Sequence, residues 1–250
     1  MPPRYEVIGV EGLPEIAPGD DLGPLVVDAA RRQGTPLRSG DLLVISQKIV
    51  SKAEGRLVWL AEVTPSPRAV EIGRELGKDA RLVEVILSES KRIVRQGLGL
   101  LIVETHHGLV CANAGVDCSN VHADQACLLP EDPDRSARLL LARVADLCRC
   151  ELGVIIADTF GRPWREGLTN VAVGIAGLDP LKSYLGQRDP AGYLLQATVL
   201  AFADELASAA EPVMGKLDRV PVAIVRGLRW ERAEASSRAL LRDSARDLFR

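Results

Sequence analysis

Between about residues 93 and 112 this chain presents three strand-like stretches in direct succession: near Ile93, over 100–105 and over 109–112, with no helical pattern between them. Elsewhere strand-like runs (6–10, 41–46, 153–157, 171–175, 222–225) alternate with helical patterns at 24–33, 66–76, 80–88, 132–150 and 198–209, except that a glycine-rich loop joins 153–157 to 171–175. Alternation in one part and consecutive strands in another favour a mixed architecture over a regular doubly wound sheet. They predict a mixed α+β fold, with helices packed around the sheets. A single unit over residues 1–250 is expected, and loops at 64–67 and 127–133 could divide it into two subdomains. Ser66-Pro67 and Asp132-Pro133 carry the cap and first-turn proline that start helices, and the charged tail from Glu231 has a helical pattern.

Two of the buried-type runs lead into carboxylates. After 100–103 and 109–111 comes Asn113-Ala114-Gly115-Val116-Asp117, followed by Ser119-Asn120; after 153–157 comes Asp158-Thr159. Taken singly, each aspartate reads as the cap of a turn. Taken together, two strand ends could bring two carboxylates and a hydroxyl to one point, a donor set suited to Mg²⁺ or Mn²⁺.

The formal net charge of −3 gives no bulk attraction to nucleic acid or an anionic membrane, so a phosphate site would have to be built locally. Apolar runs are too short to span a bilayer, and Met1-Pro2-Pro3-Arg4-Tyr5 opens no signal segment. Five cysteines, an odd number, fit reduced thiols in the cytoplasm. Cys111, Cys118, His122 and Cys127 match no common zinc spacing, and His106-His107 read as a hairpin turn.

Generic nucleotide signatures fail. Gly215-Lys216 has Ala210 where a P-loop needs glycine, and Gly97-Leu98-Gly99 is followed by Ile102 where a dinucleotide fingerprint needs one. Three segments read as loops richer than turns require. Ser46-Gln47-Lys48 through Gly55 places lysines and hydroxyls after a buried strand. Gly161-Arg162-Pro163-Trp164-Arg165-Glu166-Gly167 holds two arginines beside a tryptophan, apt for phosphate or carboxylate and for ring stacking. Met214-Gly215-Lys216 precedes the last strand.

The segments Val50-Ser51-Lys52-Ala53-Glu54-Gly55-Arg56, Ala112-Asn113-Ala114-Gly115-Val116-Asp117, Asp158-Thr159-Phe160-Gly161-Arg162-Pro163-Trp164-Arg165 and Pro221-Val222-Ala223-Ile224-Val225-Arg226-Gly227 together resemble the coenzyme F420:L-glutamate ligase family. The resemblance runs in order over nearly the whole chain, from Val10-Glu11-Gly12-Leu13-Pro14 onward. It implies a GTP-hydrolysing ligase that joins L-glutamate to the lactyl carboxylate of coenzyme F420-0 and then adds γ-linked glutamates. It implies Mg²⁺ or Mn²⁺, two ions with K⁺ as a further candidate, and a homodimer. Asp117 and Asp158 match metal-ligand positions and Thr159 a second-metal position. Gly12, Leu13, Pro14, Lys52 and Asn120 match GTP contacts, with Ser46, Gln47, Gly215 and Lys216 grouped beside them. Arg162 is assigned to the reacting groups together with the two aspartates. Archaeal relatives carry Glu where this chain has Lys216, so either one metal is held differently or the lysine acts as a phosphate counter-charge. The nitroreductase-like C-terminal domain of some bacterial relatives is not expected. Two other readings compete: an amide ligase acting on another phosphorylated carboxylate, and a nucleotide-binding module without turnover.

Overall fold

The computed structural model describes residues 2–247; the extremes of the 1–250 unit lie outside them. In chain order the elements are β1 (Glu6–Gly9), α1 (Leu22–Arg32), β2 (Leu42–Ser46), α2 (Gln47–Ala53), β3 (Leu57–Trp59), α3 (Pro67–Leu76), α4 (Ala80–Ser88), β4 (Ser90–Gly97), β5 (Leu100–Thr105), β6 (Val110–Ala112), β7 (Gln125–Cys127), α5 (Pro133–Cys148), β8 (Gly153–Arg162), β9 (Arg165–Ala176), β10 (Lys182–Ser183), β11 (Val199–Leu200), α6 (Phe202–Met214) and β12 (Val222–Arg226).

The main sheet has the order β1-β12-β2-β8-β9, and only β2 and β8 run parallel. The consecutive strands β4-β5-β6 form a separate antiparallel sheet, and β3-β7 and β10-β11 form two small ribbons. The fold is therefore α+β with several sheets, as the succession of strands predicts.

Leu42, Leu43, Val44 and Ile45 of β2 are all fully buried. A strand covered on both faces reads as a continuous apolar run rather than an alternation. On one face Leu43 and Ile45 join Val26 and Val27 of α1 and Leu140 and Val144 of α5. On the other, Leu42 and Val44 meet Leu206, Ala207 and Ala210 of α6. A third core packs α3 and α4 on β5, through Ile72, Val83, Ile86, Leu101 and Val103. Ser66 and Asp132 cap α3 and α5, each with proline in the first turn. No helix among the described residues is long and apolar enough to cross a membrane.

Four local expectations are corrected. Residues 47–53 form α2 rather than a loop, because Ser46 caps it and Ile49 and Val50 turn into the core. The 161–167 segment is the tip of a β8–β9 hairpin: Arg162 pairs with Arg165, and Trp164 takes φ of +57°. Its strands project beyond the sheet and are exposed, so they show no period-two apolar signal. The sixth helix starts at Phe202 and extends to Met214. The described part of the tail forms only short 3-10 turns, Ser237–Leu240 and Ser244–Arg246, with no buried residue to fix a helical face. His106 and His107 do occupy the turn between β5 and β6.

Candidate active site

The parallel pairing of β2 and β8 sets Ser46, the end of β2, opposite Ala157, where β8 passes the edge of the sheet. In open α/β sheets that edge is where ligands are held. Here β2 delivers Ser46 and α2, while β8 delivers Asp158 and Thr159. Residues from these elements line a single cavity of about 1840 Å³.

Asp117 arrives from the small β4-β5-β6 sheet. Asn113, Ala114 and Gly115 carry φ of +53°, +57° and +71°, an unusual run of three left-handed residues. Only glycine fits at 115, since a Cβ there would lie 2.8 Å from Leu129 Cγ. The backbone of Asp117 is then pinned by reciprocal bonds to Cys127, at 3.0 and 2.9 Å. Its carboxylate accepts from Ser119 N (2.8 Å), from Ser119 Oγ (2.7 Å) and from the Lys48 ammonium. Lys48 Nζ also donates to Ser119 O (2.7 Å) and contacts Ser119 Oγ (2.8 Å). Burial pushes the Asp117 carboxyl up, but Lys48 and the Ser119 donors outweigh it and hold the group below its ordinary value.

Asp158 behaves oppositely. Burial dominates and pushes its carboxyl up to about 6; the charge of Asp117 adds to this, while the Thr159 backbone, Lys48 and Lys216 pull the other way. Thr159 Oγ1 donates to Asn170 Oδ1 at 2.7 Å and accepts from the Lys216 ammonium. Lys52 pairs with Glu15, and Gln47, almost fully buried, accepts from Ser51 Oγ at 2.8 Å.

The structure brings the predicted residues together almost completely. Leu13, Pro14, Ser46, Gln47, Lys52, Asp117, Asn120, Asp158, Thr159, Arg162, Gly215 and Lys216 all line the cavity. Gly12, which turns the chain at φ of +75°, is outside its lining. The two arginines of the hairpin are split: Arg162, which donates to Glu166 O at 3.0 Å, and Trp164 face the cavity, while Arg165 does not. Cys111, Cys118, His122 and Cys127 assemble no metal site, and among the described residues no group of three or more His, Cys, Asp or Glu does so.

Sequence reasoning left Lys48 and Asn170 without a role. Lys48 and Lys52 are spaced i, i+4, so both lie on one face of α2; reading that stretch as a helix would have exposed the pair. Asn170 carries no sequence signal, since only the β8–β9 register sets it opposite Thr159.

The donors are hard oxygens: two carboxylates, a hydroxyl and an amide. Mg²⁺ is usually held by one or two carboxylates plus substrate phosphates and water, so these residues fit such an ion. A divalent cation between Asp117 and Asp158 would also remove the repulsion that opposes ionisation of Asp158. Although the chain is net negative, the cavity wall carries seven lysines and arginines against four carboxylates. That local excess favours anionic ligands.

The sequence profile of the F420-0:gamma-glutamyl ligase family matches residues 12–227. The chain is 48% identical over 247 residues to a protein of Methanothermobacter thermautotrophicus named coenzyme F420:L-glutamate ligase, covering 98% of each chain. Proteins of the same name from Methanopyrus kandleri and Methanocaldococcus jannaschii are 48% and 39% identical, each covering 99% of this chain and 97% of its own length.

Proposed function

The chain belongs to the F420-0:gamma-glutamyl ligase family, and from that premise we propose that it is a GTP-dependent coenzyme F420:L-glutamate ligase. It joins L-glutamate to the lactyl carboxylate of F420-0 and then adds further γ-linked glutamates. The observation that carries this reading is the meeting of Asp117, Asp158, Lys48 and Lys216 in one cavity whose wall has an excess of positive charge.

A free carboxylate is a poor acylating agent. The γ-phosphoryl group of GTP is transferred to a carboxylate oxygen, giving an acyl phosphate and GDP. The glutamate amine then attacks the carbonyl carbon; the C–O bond to phosphate breaks, inorganic phosphate leaves and the nitrogen loses a proton. Such transfers need positioning and charge stabilisation more than a covalent nucleophile. Asp117 and Asp158 would hold a divalent cation, with Thr159 at a second position and K⁺ a further candidate, and ions held there would supply charge neutralisation and alignment for phosphate oxygens. Lys52 releases Glu15 to meet the nucleotide phosphates, with Leu13, Pro14, Ser46, Gln47 and Asn120 around it. Lys216, anchored on Thr159, adds a point charge at the position that the family resemblance links to a metal-binding glutamate. Lys48 fixes the Asp117 carboxylate against Ser119. Arg162 presents a planar fork to a substrate phosphate or carboxylate.

The enzyme acts in the cytoplasm, where its cysteines stay reduced, and as a homodimer. Exposed Leu185, Tyr193, Leu194, Val199 and Leu200 on and around the β10–β11 ribbon support self-association; sedimentation of the purified protein tests it. The test of the activity is incubation with GTP, F420-0 and L-glutamate, with Mg²⁺ or Mn²⁺. GDP should form one-for-one with each glutamate added, and mass spectrometry should find products carrying one and then more glutamates. GTP hydrolysis without a glutamylated product, or neither, would reject the assignment.

A further inference from the structure

The tail after β12 is almost without regular structure, yet it contributes Leu240, Leu241, Arg242 and Asp247 to the wall of the active cavity. It is tied down at defined points. Trp230 Nε1 donates to Gly40 O at 2.9 Å, and Asp179 N to Glu231 O at 3.1 Å. The densest anchor is Asp134, buried in the first turn of α5. Its carboxylate accepts from Ser236 Oγ (2.6 Å), Ser237 N (3.0 Å) and Ser237 Oγ (3.2 Å), and also from Ile175 N of β9 (2.8 Å). Just beyond this clasp, Leu241 Cδ1 lies against Gly108 at the β5–β6 turn and separates the large cavity from a smaller one of about 170 Å³.

The wall completed in this way differs from the polar one around Asp117 and Lys216. Val94, Leu100, Ile102 and Val110 of the β4-β5-β6 sheet line the same cavity as Leu241, with Leu240 packed on the core beside α6, and Leu100 and Val110 are exposed. Arg95, paired with Ile102, and Arg242 of the tail line the cavity as well. Apolar surface beside arginine suits a fused ring system bearing an anionic tail, and offers little to L-glutamate. Both F420-0 and GTP have a ring and an anionic tail. The predicted nucleotide contacts, Leu13, Pro14, Lys52 and Asn120, come from other segments.

We propose that residues 230–247 form a strap that completes the F420-0 subsite, and that Asp134 is the positioning residue that holds it in place. This rests on the ligase reading above. Asp134 touches no substrate; it acts through the strap.

The test uses the full chain in two forms that weaken the clasp from opposite sides: Asp134→Asn, and the double variant Ser236→Ala/Ser237→Ala, which removes both hydroxyl bonds and keeps those from Ile175 N and Ser237 N. Steady-state kinetics are measured for F420-0 and GTP separately, with circular dichroism and thermal melting as checks on folding. Losing hydrogen bonds to a charged group should raise the KM for F420-0 at least about five-fold, with the KM for GTP and kcat at saturation within about two-fold. Arg242→Gln should share that pattern, and proteases should cut the strap faster in the two clasp variants. If the serine variant folds and keeps the wild-type KM for F420-0, the proposal is wrong. It is equally wrong if the KM for GTP rises instead, or if kcat alone falls. A wild-type protein that turns over no F420-0 would reject the ligase reading itself, an outcome separate from these.

Discussion

Asp158→Asn should stabilise the metal-free protein at neutral pH while abolishing ligation. The carboxyl is pushed from 3.8 up to about 6, so between those values the folded chain binds more protons than the unfolded one. Ionising the group therefore costs stability as pH rises through that window, and the full cost is present above about 6. A shift of about two units at ~1.36 kcal/mol each amounts to about 3 kcal/mol. A near-isosteric amide removes the charge, so up to about 3 kcal/mol should be recovered at about pH 7.5, roughly half of it near pH 5, and almost none below the unfolded value. In a chain of this size that corresponds to a rise in Tm of about 6–12 °C. The assay is thermal or urea unfolding of both proteins with a chelator present, at about pH 7.5 and about pH 5. Adding Mg²⁺ and GTP should narrow or reverse the difference, because ligand that binds the folded wild type stabilises it by mass action. A variant no more stable than wild type at neutral pH would refute the reasoning, as would a gain of equal size at both pH values.

Lys216→Ala should weaken GTP binding, with added Mg²⁺ restoring only part of it, whereas Lys216→Glu should make binding more dependent on metal; superimposable titrations for all three proteins would show that the lysine does not serve the phosphates. Arg162→Lys keeps the charge and loses the planar fork, so the KM of a substrate should rise about ten-fold while the Tm stays unchanged; unaltered kinetics for GTP, F420-0 and glutamate would leave Arg162 a surface residue. Gly115→Ala places a methyl group against Leu129 on a left-handed backbone. It should cost about 2–4 kcal/mol in urea unfolding and lower turnover by moving Asp117; a cost under about 0.5 kcal/mol would mean that the turn relaxes freely.

The parts of the fold legible in the sequence were those governed by local rules. Ser66-Pro67 and Asp132-Pro133 mark helix starts because capping depends on neighbouring residues alone, and 42–45 announces a strand buried on both faces through its unbroken apolar run. Asp117 and Asp158 were visible because each closes such a run. What the sequence hid was set by distant partners. The tail is held by Asp134, about a hundred positions earlier in the chain, so its own helical charge pattern misleads. The Arg162 hairpin resembles a loop because a ribbon leaving the sheet has no face to bury, and Lys48 stayed in the background while α2 was read as a loop.

One further consequence lies in the β8–β9 ladder, where the register shifts by one between the pairs Ile156–Gly174 and Ala157–Ala172. The surplus residue, Val173, changes which side chains of β9 share a face with those of β8. Were the ladder to run on from Ile156–Gly174 without that shift, Thr159 would sit opposite Val171, and Asn170 would face the far side of the sheet. The pairing of Thr159 with Asn170 is thus a matter of counting: odd or even, not merely which residues are present. Deleting a paired residue such as Val171 or Ala172, with the bulge kept, should turn Asn170 away from Thr159 even where every catalytic side chain is kept, whereas deleting the unpaired Val173 keeps the pair. Paired additions at the exposed 163–164 tip leave the count intact, so relatives and engineered variants should vary in length there.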